Sequence, residues 1–370
     1  MRIKEVVVDL VDEESRFVLK RIVTDKGEFL NRKLSIPNSI YNCERKRKTY
    51  GKPAFDFQFQ THHLGWDNRE EEWDFKGLKK AKEHADENNR LFIPYKQRNE
   101  KQVESLKWDE AKEDFLEFLG KCEVVPYPIL QTATLEEWKI KRSEAMKKLD
   151  DGQILMPLFS SKHNVKHFPD LIKFELKNSI ILGIDCFELK SPIETANLSF
   201  LKAINSSFKI GDKCSLVACF DYPRILTKHS YVAGSFAYCC FAGDIFSEKA
   251  YFPRRMSKEA IENMMNKNPD EYLFYDPKQK KFNRAIPQRE WYGQDLTINS
   301  MKNVSVAEGL QGYQVVKCIS HFLQQRDLNL INEILIQRKP LIQTIKNYTG
   351  WNVFWDNSIE NQSVQKTLDL

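Results

Sequence analysis

Three aspartates are predicted to follow buried strands, where a carboxylate could be catalytic. Asp185, Asp221 and Asp244 each stand at the carboxyl side of an apolar run, in SIILGID, SLVACFD and SFAYCCFAGD. Such runs predict buried parallel strands, and barrel active sites lie at the carboxyl ends of their strands. A carboxylate there can attack a sugar carbon, or it can move a proton as an acid or a base. The alternative is that each aspartate caps the helix that follows.

Cysteine and histidine pairs are further candidates. Cys239 and Cys240 would supply a nucleophilic thiolate only beside a base or a cation, and burial in the core is the alternative. His62 and His63 lie among aromatic residues in FQTHHLGW, where they either contact a ligand or partner or serve the structure. The eight cysteines include no CxxC pair, so neither a disulfide framework nor a zinc site is indicated. We expect no metal and no cofactor.

Basic clusters next to aromatic residues can contact phosphates and stack bases. We expect Arg254 and Arg255, which follow Phe252, to contact a nucleic acid or a partner. Similar clusters lie at residues 45–48, 79–82 and 278–281. A solvated surface is the alternative for all of these clusters. The net charge of +5, from 57 basic and 52 acidic residues, is too small to indicate nucleic-acid binding by itself.

Strands that alternate with helices must position these residues. Between Gln153 and Phe252, short apolar runs are separated by amphipathic segments of about ten residues. This pattern predicts parallel strands that are buried on both faces. The run SFAYCCFAGDIF is expected to be one of these strands. The middle of the chain therefore indicates a parallel α/β core.

The amino-terminal segment has a different pattern. Residues 1–37 alternate apolar and polar positions around a turn at Asp25-Lys26-Gly27, which predicts an antiparallel β lead-in. Residues 41–100 are heavily charged, with helical spacing only in their second half. We interpret this second segment as an insertion that is mobile or that contacts a partner.

Helix signals recur in the rest of the chain. A helix is predicted to end at Gly120, and Thr134 with Glu137 forms the capping-box pattern that starts another. A polar hairpin is expected at Asp276-Pro277. Two long helices then fit VAEGLQGYQVVKCISHFLQQRD and LNLINEILIQRKPLIQTIKNY, the second divided or kinked at Pro340.

The length suits one barrel with an appended part, since a (β/α)8 barrel takes roughly 250 residues and the chain has 370. We predict a β lead-in and charged insertion over 1–100, a βα barrel core over 101–300, and helices that close the barrel over 301–370. No long apolar run and no signal peptide pattern occur. We therefore expect no membrane association and a cytoplasmic location.

Several blocks, in this order, resemble the tRNA-guanine transglycosylase superfamily, whose members exchange a guanine base for a 7-deazaguanine. The blocks are GEFLNRKLSIPNSI, VVPYPILQTATLEEWKIKRSEAMKKL, SIILGIDCFEL, LVACFDY with AGSFAYCCFAGDIFSEKAYF, and the tail from Ser305 to Ile345. The resemblance implies a TIM-like (β/α)8 barrel of this family's type, a homodimer, and a base pocket backed by Gly183. The other substrate-binding residues that we expect are Phe159, Asp185, Tyr238 and Cys239.

The catalytic and zinc signatures of this family are missing. No Asp-Ser-Gly-Gly turn occurs, and the position of the nucleophilic aspartate reads Tyr238-Cys239-Cys240. The segment FYDPKQKKFNRAIP lacks the expected set of three cysteines and a histidine. A nucleophile would then have to be Asp244 or Asp221, displaced from the position that the family uses.

Three functions remain open. The favoured one is a non-exchanging or remodelled relative that binds a 7-deazaguanine-type base or its protein conjugate, similar to the transglycosylase-like proteins of type IV CBASS anti-phage systems. Such a protein would have a QueC-like enzyme and a nucleotidyltransferase as partners. The alternative is a guanine transglycosylase, a pentosyltransferase-like enzyme that inserts a 7-deazaguanine into DNA or tRNA. The third is an unrelated α/β barrel, because fold does not fix function.

Overall fold

The computed structural model centres on one sheet of eight parallel strands. It describes residues 1–15, 17–36, 57–67, 72–96, 105–130, 132–160, 167–186, 208–222, 235–236, 239, 243–248, 274–283 and 312–354. The strands are β1 (Ile3–Val11), β2 (Val18–Thr24), β3 (Gly27–Leu30), β4 (Lys33–Ile36), β5 (Phe59–Leu64), β6 (Trp66–Asp67), β7 (Glu72–Trp73), β8 (Leu91–Lys96), β9 (Val124–Pro128), β10 (Ile154–Ser160), β11 (Ile181–Asp185), β12 (Leu216–Tyr222), β13 (Ile245–Glu248), β14 (Phe274–Asp276) and β15 (Lys281–Asn283). The helices are α1 (Phe75–Glu87), α2 (Ser105–Leu119), α3 (Leu135–Met146), α4 (Phe168–Asn178), α5 (Gly312–Ile336), α6 (Leu341–Lys346) and α7 (Thr349–Phe354).

The order of the parallel strands makes the sheet nearly closed. The order is β8, β5, β4, β13, β12, β11, β10 and β9. Among the described parallel strands, the first and the last along the chain, β4 and β13, pair with each other. The two edge strands, β8 and β9, are consecutive among these eight. A parallel sheet that returns to its first strand in this way is barrel-like. The predicted parallel α/β core is therefore confirmed at this level.

The antiparallel lead-in is also confirmed, but the parallel sheet begins earlier than the pattern indicated. Strands β1, β2 and β3 form a separate antiparallel sheet with the predicted turn at Gly27, whose φ of 130° suits glycine. Strands β4, β5 and β8 of the parallel sheet precede residue 101, within the segments assigned to the lead-in and the insertion. Strand β5 is formed by FQTHHL, which has polar residues in place of the apolar run that is typical of a buried strand.

Side chains of the parallel strands alternate between two cores. Along β12, Leu216, Ala218 and Phe220 face the interior of the sheet, and Val217 and Cys219 face the outer layer. Helix α1 contributes to the outer layer through the predicted helical stripe, and its capping residue Asp74 accepts a hydrogen bond from the backbone N–H of Gly77 at 2.7 Å. The interior core also receives side chains of β1 and β2, which places the small antiparallel sheet against the barrel-like one.

One predicted strand is wrong. The run SFAYCCFAGDIF was expected to be a single strand, but Ser235, Phe236 and Cys239 are helical and β13 starts only at Ile245. An apolar run without a clear period fits a buried helical turn as well as a strand, and tertiary packing favours the helical conformation at Ser235, Phe236 and Cys239. Among the described residues of this run, only Ile245 and Phe246 belong to the sheet.

The carboxyl-terminal part follows the predicted hairpin and proline signals, with one difference. Strands β14 and β15 form the hairpin around Asp276-Pro277, and α6 starts directly after Pro340. Helix α5 runs without a break through Asp327, where two helices were expected to meet. Asp327 is buried there, accepts a hydrogen bond from the Tyr275 hydroxyl at 2.6 Å, and pairs with Lys280, so α5 holds the hairpin against the outer layer. Among the described helices, none combines the length and the apolar character that a bilayer crossing requires.

Candidate functional site

Polar side chains from six strands meet on the interior face of the sheet at its carboxyl end. Asp185 ends β11, Asp221 lies next to the end of β12, and Tyr95 lies next to the end of β8. All three are buried, with exposed fractions of 5%, 0% and 2%. The carboxyl-end cluster consists of Ser35, Thr61, His63, Tyr95, Asp185, Asp221 and Ser247.

A β-bulge turns Asp221 towards this cluster. Cys219 is paired with Phe246 and Tyr222 with Glu248, so two residues of β12 oppose one residue of β13. Asp221 has a φ of 55°, in the left-handed region that residues other than glycine rarely adopt. As a result, Phe220 stacks on the Tyr95 ring at 4.6 Å and Asp221 also reaches Tyr95. Such a conformation costs about 1–3 kcal/mol and is typical of functional sites.

Tyr95 connects the two carboxylates. Burial raises its pKa well above the ordinary value, and the negative charges of Asp221 and Asp185 and a hydrogen bond to Asp221 raise it further. A hydrogen bond with Ser247 acts in the opposite direction but does not outweigh these effects. The phenol is therefore neutral at physiological pH and can donate a hydrogen bond to a carboxylate.

Histidine 63 supplies a neutral ring beside Tyr95. The two residues are directly opposite in the parallel pairing of β5 and β8, and their ring centroids are 5.9 Å apart. Burial lowers the pKa of His63 to about 4 and that of His62 well below its ordinary value. Each side chain is 3% exposed, so in this structure neither is available as a surface contact. Near neutral pH the His63 imidazole is therefore uncharged and can still take part in a hydrogen bond.

The stability of the protein is expected to fall as the pH is lowered from 6.5 to about 4, partly because of His63. In that window the unfolded chain binds a proton at this histidine and the folded chain does not, which amounts to about 3 kcal/mol for a pKa lowered to about 4. Denaturant unfolding at several pH values should give a shallower fall for His63→Gln than for the wild type. Equal pH dependence in both proteins would show that His63 is protonated in the folded state.

Gly183 lies one layer below Asp185 in the interior of the sheet. A Cβ added there would be 2.7 Å from Phe220 Cε2 and 2.9 Å from Leu158 Cδ1. The glycine that was expected to back a base pocket thus provides the space into which two core side chains pack. Its position two residues before Asp185 on the same face of β11 makes it part of the support of the carboxyl-end cluster.

The Gly183→Ala variant is expected to lose about 1–3 kcal/mol of stability, because the added methyl group overpacks the interior. Urea unfolding measures this loss. An unchanged midpoint would mean that Phe220 and Leu158 can move aside, and the tight packing below Asp185 would then not hold.

Asp244 was expected at the carboxyl end of a strand, but it does not lie there. It immediately precedes β13, at the amino end of the sheet, and is 1% exposed. Its carboxylate accepts hydrogen bonds from Lys20 Nζ at 2.6 Å, from Asn31 Nδ2 at 2.7 Å and from the backbone N–H of Val217 at 2.9 Å. This prediction of position is wrong because β13 begins after Asp244, and Phe236 and Cys239, which were expected in that strand, are helical. Asp244 links the antiparallel sheet to the barrel-like one.

Two expected pocket residues face away from the cluster. Phe159 lies in the outer layer and forms a T-shaped pair with Phe168 on α4, with the ring centroids 5.5 Å apart. Cys239 Sγ accepts a hydrogen bond from Arg32 Nε at 3.1 Å, and burial raises the pKa of its thiol to about 11 although Arg32 opposes this. The thiol is therefore protonated at physiological pH. Tyr238, Arg254 and Arg255 lie outside the described residues.

Sequence patterns did not identify Tyr95 or the three hydroxyl residues of the cluster. The pattern that indicates them is the alternation of side chains between the two faces of a strand. In β5, Thr61 and His63 share the interior face with Phe59, and in β8, Tyr95 shares it with Leu91 and Ile93. A polar residue at an interior position near the carboxyl end of a parallel strand is the pattern that would have found them.

The arrangement can bind a ligand that donates hydrogen bonds and can move a proton. Two carboxylates accept N–H or O–H donors, and the aromatic rings of Phe220 and Tyr95 lie beside them. No group of three potential metal-ligating side chains occurs within the described ranges. A separate pocket of about 240 Å³ lies outside the sheet, at the end of β9, and its lining includes Tyr127, Trp138 and Lys141.

No family model matches the chain, and no curated protein sequence matches it.

Proposed function

We propose that the chain is a diverged member of the tRNA-guanine transglycosylase superfamily with a TIM-type barrel, and that the carboxyl-end cluster binds a base of the 7-deazaguanine type. One observation carries the proposal. Asp185 and Asp221 lie on adjacent strands, and both raise the pKa of the Tyr95 hydroxyl on the interior face of the sheet, at its carboxyl end. This is the end at which barrel proteins bind their ligands.

A guanine-like base fits this set of groups chemically. Its ring N–H and exocyclic amine point in the same direction, so that one carboxylate can accept both, as acidic side chains do with base amines. Its flat ring system favours contact with aromatic side chains such as Phe220. A second carboxylate and a neutral histidine remain for the other edge of the ring.

In the favoured form of this proposal the protein binds the base without exchanging it. It acts with a QueC-like enzyme and a nucleotidyltransferase in anti-phage defence, and the base or its conjugate with a protein is the bound species. The supporting observation is the absence from the sequence of the family's aspartate turn and zinc-ligand set. A barrel that keeps its polar carboxyl end after losing these signatures suits recognition.

Base exchange into DNA or tRNA is the second candidate, and the pair of buried carboxylates favours it. Exchange needs one carboxylate that attacks the sugar carbon while a second group gives the leaving base a proton. The second group then takes a proton from the incoming base, which attacks the same carbon and releases the first carboxylate. Asp185 and Asp221 can divide these tasks. Asp244 is not part of this candidate, because its carboxylate is bonded to Lys20 and Asn31 at the other end of the sheet.

The experiment that separates the two forms measures base binding and base release independently. The purified full chain is incubated with DNA or tRNA that carries labelled guanine, with and without 7-deazaguanine, and released label and bound 7-deazaguanine are counted. Binding without release supports the favoured form, and release that Asp221→Asn abolishes supports exchange. Asp114→Asn, an exposed aspartate on α2, is the matched control. Absence of both signals from the folded wild type would contradict the proposal.

A further inference from the structure

Four hydroxyl groups form a continuous chain that ends at Asp221. Ser35 Oγ lies 2.8 Å from Thr61 Oγ1, and Thr61 Oγ1 lies 2.7 Å from Ser247 Oγ. Ser247 is hydrogen-bonded to the Tyr95 hydroxyl, which is in turn hydrogen-bonded to Asp221. The four hydroxyl residues belong to β4, β5, β13 and β8, so the chain crosses the interior of the sheet.

The other end of the chain is a fixed acceptor. Ser35 Oγ donates to the backbone carbonyl of Phe246 at 3.2 Å. A carbonyl oxygen can only accept, whereas each hydroxyl both donates one hydrogen bond and accepts others. The chain therefore joins a permanent acceptor to a carboxyl group that is an acceptor when ionised and a donor when protonated.

We propose that this hydroxyl chain reverses its donor direction when Asp221 gains or loses a proton, so that Asp221 has a hydrogen-bond partner in both states. With Asp221 ionised, Tyr95 donates to it and Ser247 donates to Tyr95. With Asp221 protonated, its O–H donates to Tyr95 Oη, and Tyr95, Ser247, Thr61 and Ser35 each donate to the next, ending on the Phe246 carbonyl. No proton crosses the chain. Each hydroxyl only changes the neighbour to which it donates.

This device assigns a role within the proposed function, on which it rests. A buried carboxyl group that changes its protonation state normally loses a hydrogen bond in one of the two states, which is costly. The chain removes this cost for Asp221, because the carboxyl group keeps a hydrogen-bond partner in both protonation states. Asp221 is therefore the group that exchanges a proton with the ligand, and Tyr95, Ser247, Thr61 and Ser35 are positioning residues.

Other titratable groups around Asp221 act on the same equilibrium. Those on the described strands are Tyr95 on β8, Asp185 on β11 and, beside Tyr95, His63 on β5. Burial keeps the pKa of His63 at about 4, so this ring is neutral above that pH. The titration of Asp221 must accordingly be identified by the loss of its signal in Asp221→Asn.

The test is an infrared titration of the protonated carboxyl band in the ligand-free protein. Tyr95→Phe is expected to move the midpoint for Asp221 to higher pH, because both forms lose their partner and the hydrogen bond to the ionised form is the stronger of the two. Ser35→Ala is expected to move it to lower pH, by about one unit, because only the protonated form leaves the buried Thr61 hydroxyl without an acceptor. Thr61→Ser, which keeps the hydroxyl, should titrate like the wild type.

Ser215→Ala is the control, since this buried serine bonds to backbone carbonyls at the amino end of β12. It is expected to leave the midpoint unchanged. Opposite shifts in Tyr95→Phe and Ser35→Ala support the reversible chain, and no shift or a shift to higher pH in Ser35→Ala overturns it. Because no base is present, the chain can be confirmed or refuted whether or not the protein binds 7-deazaguanine.

Discussion

Replacing Asp244 with alanine is expected to lower the free energy of unfolding by about 3–5 kcal/mol. The substitution leaves the Lys20 ammonium, which is 0% exposed, without its ion-pair partner, and it also removes the acceptor of Asn31 and of the Val217 backbone N–H. A buried charge without a partner cannot be compensated by water. Urea unfolding followed by circular dichroism measures the loss.

Asp9→Ala provides the matched comparison. Asp9 pairs with Arg21 at 3.2 Å, but both side chains are substantially exposed, so the pair contributes less than about 1 kcal/mol. If Asp244→Ala proved as mild as Asp9→Ala, the structural role of Asp244 would be refuted. A catalytic role for this residue would then need to be considered again.

Replacing Asp185 with asparagine is expected to weaken binding of 7-deazaguanine about tenfold to a hundredfold. A hydrogen bond to a charged group contributes about 1.5–3 kcal/mol, and each 1.4 kcal/mol corresponds to a factor of ten in the dissociation constant. An amide presents one acceptor and one donor, and therefore cannot accept two N–H groups of the base. Isothermal titration calorimetry at neutral pH measures the change.

The control is again Asp114→Asn, which has the same change of charge on an exposed face of α2. It should bind the base as tightly as the wild type does. Equal weakening in both variants would point to a general effect of net charge. Unchanged binding in Asp185→Asn would remove this carboxylate from the site.

Local signals in the sequence predicted the elements whose boundaries depend on local chemistry. The capping box of Thr134 and Glu137 forms as expected, with the Thr134 backbone N–H donating to Glu137 Oε2 at 2.9 Å. The turn at Gly27 and the start of a helix after Pro340 were likewise predictable. These features need only backbone dihedral preferences and nearby hydrogen bonds.

Elements that depend on distant partners were predicted less well. Strand β5 contains Gln60, Thr61 and two histidines, all buried, and only its pairing with β4 and β8 makes it a strand. Phe236 and Cys239, two apolar residues before Asp244, are helical and pack in the outer core. Asp327 does not interrupt α5 because Lys280 and Tyr275, from the hairpin, compensate its burial.

The candidate site was accessible to sequence reasoning only in part. The rule that functional residues follow parallel strands identified Asp185 and Asp221. It could not identify Tyr95, which meets them from across the interior of the sheet, nor the bulge that directs Asp221 inward. It also placed Asp244 at the wrong end of β13, because the start of that strand depends on tertiary packing.

The central claim is that the base binds at the carboxyl-end cluster, and photolabelling tests its location most directly. A photoreactive 7-deazaguanine is irradiated with the wild-type protein, and the labelled peptides are identified by mass spectrometry. Label on the ends of β8, β11 and β12, competed by unmodified 7-deazaguanine and absent from Asp185→Asn, is the predicted result. Competed label confined to another region, such as the pocket beside Trp138, would contradict the claim.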